Sequence, residues 1–154
     1  MEATLLLISA GAEHCLFNKE TMKEYNGFSS EQRTKAQGWL NRQWRAGSLD
    51  KPTLCCACGQ DKGVIDAHAE DYSEPFAKGK TDGFHLCFRC HMMVHCRDNN
   101  KDAWKRYKAA LTAGITFEPF LTRNFGLFVS QTLKGIPPID FTGLPRADVL
   151  GQIE

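Results

Sequence analysis

The sequence predicts a small α+β domain, built on two short strands and flanked by helices. Three observations lead there. Two well-separated Cys-x-x-Cys pairs, Cys55–Cys58 and Cys87–Cys90, divide the chain. A short apolar run that reads as a strand follows the first pair (Val64–Ala67) and another precedes the second (Phe84–Leu86). Segments with helical apolar spacing lie outside this stretch and directly after it.

The cysteines explain how so short a β unit stays folded. Zinc takes four thiolates in a tetrahedron, and Cys-x-x-Cys lets two sulfurs from one turn reach the same ion. Cys55, Cys58, Cys87 and Cys90 supply the four, which leaves no open coordination position. Such a site is structural and ties two arms of chain together. The loop it closes is long, but closure entropy grows only slowly with length. The whole chain has 154 residues, 42% apolar and 24% charged, as expected of one globular domain. Much of the Cys-rich stretch is loop, so its core is small and a structural Zn²⁺ makes up the deficit. Seven cysteines leave Cys15, Cys56 and Cys96 over. They read as free thiols in a reducing compartment, with Cys56 near enough to exchange into the metal shell.

The elements follow in order. Ala3–Ala10 is an apolar run that fits either a strand or a short helix. Leu5–Ile8 within it is too short to span a membrane, and no basic residue precedes Lys19, which argues against a signal peptide and for a soluble intracellular protein. Asn26-Gly27 marks a turn. Ser29–Ala46 is a helix: Ser29 and Gln32 have capping-box spacing, Gly47 suits the position past its end, and Ala36, Trp39, Leu40 and Gln43 form one stripe. Asp71–Asp82 is a polar loop, long enough to suspect function. A helix starting near Cys90 carries His91 and His95. Asp102–Ala113 is a further helix that stops at Gly114, and Pro119–Leu133 is a last one with Leu121, Phe125, Phe128 and Val129 on one face. That phenylalanine-rich face is core, or the interface of a homodimer. The chain thus divides into a 1–50 segment with a basic helix, a 51–98 zinc-clamped core, and a 99–154 helical segment for packing or dimerisation.

His91 and His95 are four residues apart, so one helix face presents both imidazoles. The cysteine clamp brings His68, on the first arm, beside that helix. Three neutral nitrogen donors with positions to spare describe a catalytic metal site. Charge adds a second hint. The net charge is only +1, but Arg33, Lys35, Arg42, Arg45 and Lys51 face just Glu31 and Asp50 within 31–51. Local basic patches on a near-neutral chain suggest contact with a polyanion.

Taken together, Cys-x-x-Cys-Gly, a histidine at a strand end, and Leu86-Cys87-Phe88-Arg89-Cys90-His91 through His95 resemble the HNH, or ββα-metal (His-Me finger), endonucleases. The likeness is greatest to the zinc-clamped versions of bacteriophage and restriction proteins, and it covers about Lys51–Arg97. It implies two antiparallel strands and a helix around one divalent ion, Mg²⁺, Mn²⁺ or Zn²⁺, held by His68, His91 and His95. It implies cleavage of double-stranded DNA in the cytoplasm of a bacterial or phage-infected cell. Arg33, Lys35, Arg42, Arg45 and Arg97 would hold the nucleic acid, and Arg89 or Arg97 the scissile phosphate. Asp82 falls near the family's middle asparagine. Glu70, Asp71 and Tyr72 are read as fixing the turn after the strand.

One position departs from the pattern. The residue after the first ligand is normally the histidine base that activates water, and here it is Ala69. A methyl group takes no proton, and general-base catalysis is worth about 10²–10⁴-fold. Three explanations stand: an engineered substitution, a naturally silent relative, or transfer of the base role to His85 or Asp66. A single change separates the sequence from the pattern, which favours the first and predicts that Ala69→His raises cleavage. The expectation is therefore a metal-dependent DNA endonuclease impaired at its base. The alternatives are a non-catalytic, zinc-stabilised nucleic-acid-binding protein and, more distantly, a zinc-ribbon interaction module.

Overall fold

The computed structural model describes residues 23–76 and 84–135. The expectations for residues 3–17, for Asp82 and for the tail beyond 135 lie outside them. Within these residues the chain is a small α+β fold, with one two-stranded antiparallel sheet among helices.

A tight turn opens the described chain. Tyr25 and Phe28 exchange backbone hydrogen bonds of 3.1 and 3.0 Å across Asn26 and Gly27, both at positive φ. Asn-Gly is the pair that such a turn requires. Helix α1 (Ser30–Ala46) follows, with the Ser29/Gln32 capping box formed and Gly47 closing it at φ 71°. It buries Arg33, Ala36 and Leu40.

Strand β1 (Ile65–His68) pairs with β2 (Phe84–Cys87), placing Asp66 opposite Leu86, Ala67 opposite His85 and His68 opposite Phe84. β2 runs directly into helix α2 (Phe88–Cys96), which starts two residues earlier than the Cys90 spacing suggests. Helix α3 (Lys101–Thr112) packs against α2.

The last element departs most from expectation. Helix begins only at Phe125, as α4 (Phe125–Phe128), and passes into a π-helical turn, Val129–Leu133. The stretch before it is irregular, and its backbone bonds elsewhere. The Phe120 carbonyl accepts Val64 N–H at 2.8 Å, and a Cβ on Gly63 (φ +74°) would overlap that carbonyl. Asn124 then caps α4 by accepting from Leu127 N–H at 2.9 Å.

The main core is continuous from the cysteine arms through α2 and α3 to Phe120, Phe128 and Leu133, so it crosses the 98/99 boundary. A second, smaller cluster of Ala36, Ala69 and Tyr72 joins α1 to the end of β1. No described helix is long and apolar enough to cross a membrane.

Candidate functional site

The four cysteines converge. The Sγ atoms of Cys55, Cys58, Cys87 and Cys90 all lie within 4.8 Å of one another. Backbone bonds shape the first turn: Gly59 N–H to Cys55 O at 2.9 Å and Cys55 N–H to Gln60 O at 2.8 Å. Cys56 N–H donates to His85 O at 2.8 Å, which fastens this turn to β2. The Cys58 and Cys87 sulfurs are 3.7 Å apart. A tetrahedral ion with Zn–S bonds of about 2.3 Å would place its sulfurs about 3.8 Å apart. Cys90 Sγ also meets the Tyr107 hydroxyl at 3.0 Å, inside the core.

Hydrogen bonds from Cys58, Cys87 and Cys90 pull the Cys55 thiol far down, while hydrogen bonding to Cys55 and Cys58, with burial, pushes the Cys87 and Cys90 thiols far up. Four thiolates cannot coexist here without a positive ion, and the set can hold a structural metal such as zinc. Of the remaining cysteines, Cys56 is free and exposed. Cys96, expected as a free thiol, is disulfide-bonded.

The three histidines form a second group, with ligand atoms also within 4.8 Å of one another. Alternation along β1 turns Asp66 and His68 toward α2, and the i, i+4 spacing brings His91 and His95 to meet them. The Nε2 atoms of His91 and His95 are 3.0 Å apart. His91 Nδ1 pairs with Asp66 Oδ2 at 3.1 Å, and His68 Nε2 with Glu70 Oε1 at 2.6 Å. Each carboxylate thus takes one ring nitrogen and leaves the other for the centre. At His68 that other atom, Nδ1, is buried without a hydrogen-bond partner. A buried orphan nitrogen is costly unless something unseen satisfies it, and a cation shared with His91 and His95 would do so.

Glu70 is braced in turn. It accepts from the Tyr25 hydroxyl at 2.7 Å, from Arg97 at 3.1 Å and from the Asn26 amide. Burial raises its carboxyl, but the bonds from His68 and Tyr25 outweigh this and hold it near 2. Burial also holds His68 down, to about 4, and drives His95 well below its ordinary range. Both rings are therefore neutral, as ligands must be.

No protein-family profile, curated protein or solved structure matches this chain.

Several expected roles need correction. Arg89 does not hold a phosphate. It is buried, donates to Thr132 Oγ1 and to Glu118 O, and stacks on Phe117 and Phe120. Arg33 is buried too, stacked on Tyr25 and Tyr72 and donating to Lys23 O. Arg97 is buried and bound to Tyr25, Val94 O and Glu70. All three charges are used internally. Lys35 is exposed and paired with Glu31, while Arg42 and Arg45 stay on the surface of α1. His85 cannot serve as a base, since it stands with Ala67 on the sheet face away from Asp66 and His68. Asp66 is occupied by His91 and Arg123. Ala69 is fully buried against Ala36 and Tyr72, so an imidazole there would displace α1 or the turn.

Two residues in direct contact with the histidines went unforeseen. Glu70 was read only as part of a turn, although a carboxylate two residues after a candidate ligand histidine is a usable signal. Tyr25 gave no signal. Its ring lies 4.6 Å from His95 and 5.8 Å from His68 only because the Asn26-Gly27 turn places it there.

Proposed function

We propose that this chain is a divalent-metal-dependent endonuclease of the ββα-metal (HNH) type, acting on double-stranded DNA without the usual histidine base. The observation that carries the reading is the convergence of His68, His91 and His95, from β1 and α2, beside a four-cysteine site. A divalent ion held there would act as a Lewis acid toward the phosphate and the leaving oxygen.

The chain's own residues prepare that chemistry. Asp66 and Glu70 each take one ring nitrogen, fix the tautomer and strengthen the donor. Tyr25 and Arg97 keep Glu70 in place. The four-cysteine site holds the first arm to the β2–α2 junction, and so keeps His68 on His91 and His95. Arg42 and Arg45 are the exposed cations of α1 left for a phosphate backbone, while Lys35 shares its charge with Glu31. No group at position 69 accepts a proton, so turnover falls short of a fully equipped enzyme by about 10²–10⁴-fold.

A second reading, a non-catalytic nucleic-acid-binding protein, is favoured by one observation. Position 69 is filled by packing against Ala36 rather than left open to a base.

Metal analysis and plasmid nicking with Mg²⁺, Mn²⁺ or Zn²⁺ test the proposal. The wild-type chain is expected to hold two ions, and His91→Ala one. Slow, metal-dependent nicking should disappear in that variant. One ion in the wild type, or equal nicking by His91→Ala, would overturn it. DNA binding with no nicking under any metal selects the second reading.

A further inference from the structure

With Arg33, Arg89 and Arg97 buried, the histidine centre lacks the phosphate-binding arginine that the sequence suggested, and the C-terminal segment offers one instead. We propose that Arg123 is the anion-binding residue of this centre and contacts the phosphodiester there; this rests on the nuclease reading above.

The segment that carries Arg123 is anchored residue by residue. Phe117 O accepts from Gln60 Nε2 at 3.4 Å, Glu118 O from Arg89 at 3.0 Å, and Phe120 O from Val64 N–H at 2.8 Å. The Phe120 ring packs edge-on to Phe88 at 5.3 Å. These contacts tie the segment to the first cysteine arm, to α2 and to the start of β1. Arg123 follows three residues later and donates to Asp66 Oδ1. The other oxygen of that carboxylate holds His91. One carboxylate therefore separates the guanidinium from a ring of the metal centre.

Exposure separates Arg123 from Arg33, Arg89 and Arg97, which are buried. Its side chain is 63% accessible, while Asp66 is 15% accessible. Asp66 is its one partner among the described residues. The guanidinium end of the pair is open to water, so Arg123 can share Asp66 with an incoming anion at modest cost. Its planar fork suits two oxygens of a phosphate. Pairing with Asp66 keeps it at the rim before substrate arrives.

A purely bracing role, in which Arg123 only steadies Asp66, makes a different prediction and can be tested apart. The full chain loaded with Zn²⁺ is titrated into a short fluorescein-labelled DNA duplex and followed by anisotropy at several salt concentrations. Ion affinity at the histidine centre is measured in parallel by chelator competition, with thermal melts to verify folding. Arg123→Gln should bind the duplex about ten-fold more weakly and lower the salt slope by about one. Its ion affinity should be unchanged. Arg123→Lys should recover part of the loss and Arg123→Glu deepen it. Equal duplex affinity in Arg123→Gln would overturn this inference alone, and so would a fall in ion affinity that accounts for the whole loss. Failure of the wild-type chain to bind the duplex at all would remove the nuclease reading, and this inference with it.

Discussion

Asp66→Asn separates a metal centre built from three oriented histidines from three histidines that merely meet. Asp66 Oδ2 lies 3.1 Å from His91 Nδ1, and the side chain is only 15% accessible, so water screens the pair little. Asparagine keeps the size and an acceptor oxygen and removes the charge. The imidazole stays oriented but loses the carboxylate that strengthens its donor nitrogen. Loss of such an outer partner costs about 10–100-fold in metal affinity. The retained acceptor puts Asp66→Asn at the lower end, about ten-fold or about 1.4 kcal/mol. The assay is chelator competition with cobalt or zinc, reading the two sites separately. The four-cysteine ion should be unaffected, because Asp66 touches none of its ligands. Unchanged affinity at the histidines would refute the orienting role. Parallel loss of both ions would refute the independence of the two sites.

Three further outcomes follow. Tyr107→Phe removes the hydroxyl that meets Cys90 Sγ at 3.0 Å in the core, and should cost about 1 kcal/mol and loosen zinc retention a few-fold, read by chelator challenge and thermal melts. Arg89→Met removes the buried fork that ties α2 to Glu118 and Thr132, and should destabilise by about 2–4 kcal/mol in urea melts while leaving the duplex affinity of folded protein intact; selective loss of DNA binding would reinstate its phosphate role. Ala69→His should overpack the Ala36–Tyr72 contact at a cost of about 1–3 kcal/mol without an orders-of-magnitude rise in plasmid nicking; such a rise would show that α1 swings away to admit a base.

Local patterns carried much of the architecture because their physics is local. The capping box at Ser29 and the glycine stop at Gly47 follow from a few adjacent residues, and they bound α1 within one residue of expectation. Cys-x-x-Cys spacing brings two sulfurs to one point wherever the chain turns, and i, i+4 spacing does the same for His91 and His95. The two strands are short, but their bounds shifted by only a residue. The Pro119–Leu133 helix was misjudged because apolar spacing does not reveal that Val64 takes the Phe120 carbonyl.

What the sequence determined by itself was the donor chemistry: four thiols in paired turns, three imidazoles, and an alanine where a base is expected. Tertiary structure decided where the charges go. Arg33, Arg89 and Arg97 look like surface cations in a one-dimensional pattern, yet each finds aromatic faces and carbonyls only when distant segments pack. Arg123 and Glu70 drew no notice as site residues, yet they reach Asp66 and His68 at the histidine centre. The same packing closes Ala36 over Ala69, so the position that departs from the ββα-metal pattern the sequence resembles is walled in by a helix lying more than thirty residues earlier in the chain.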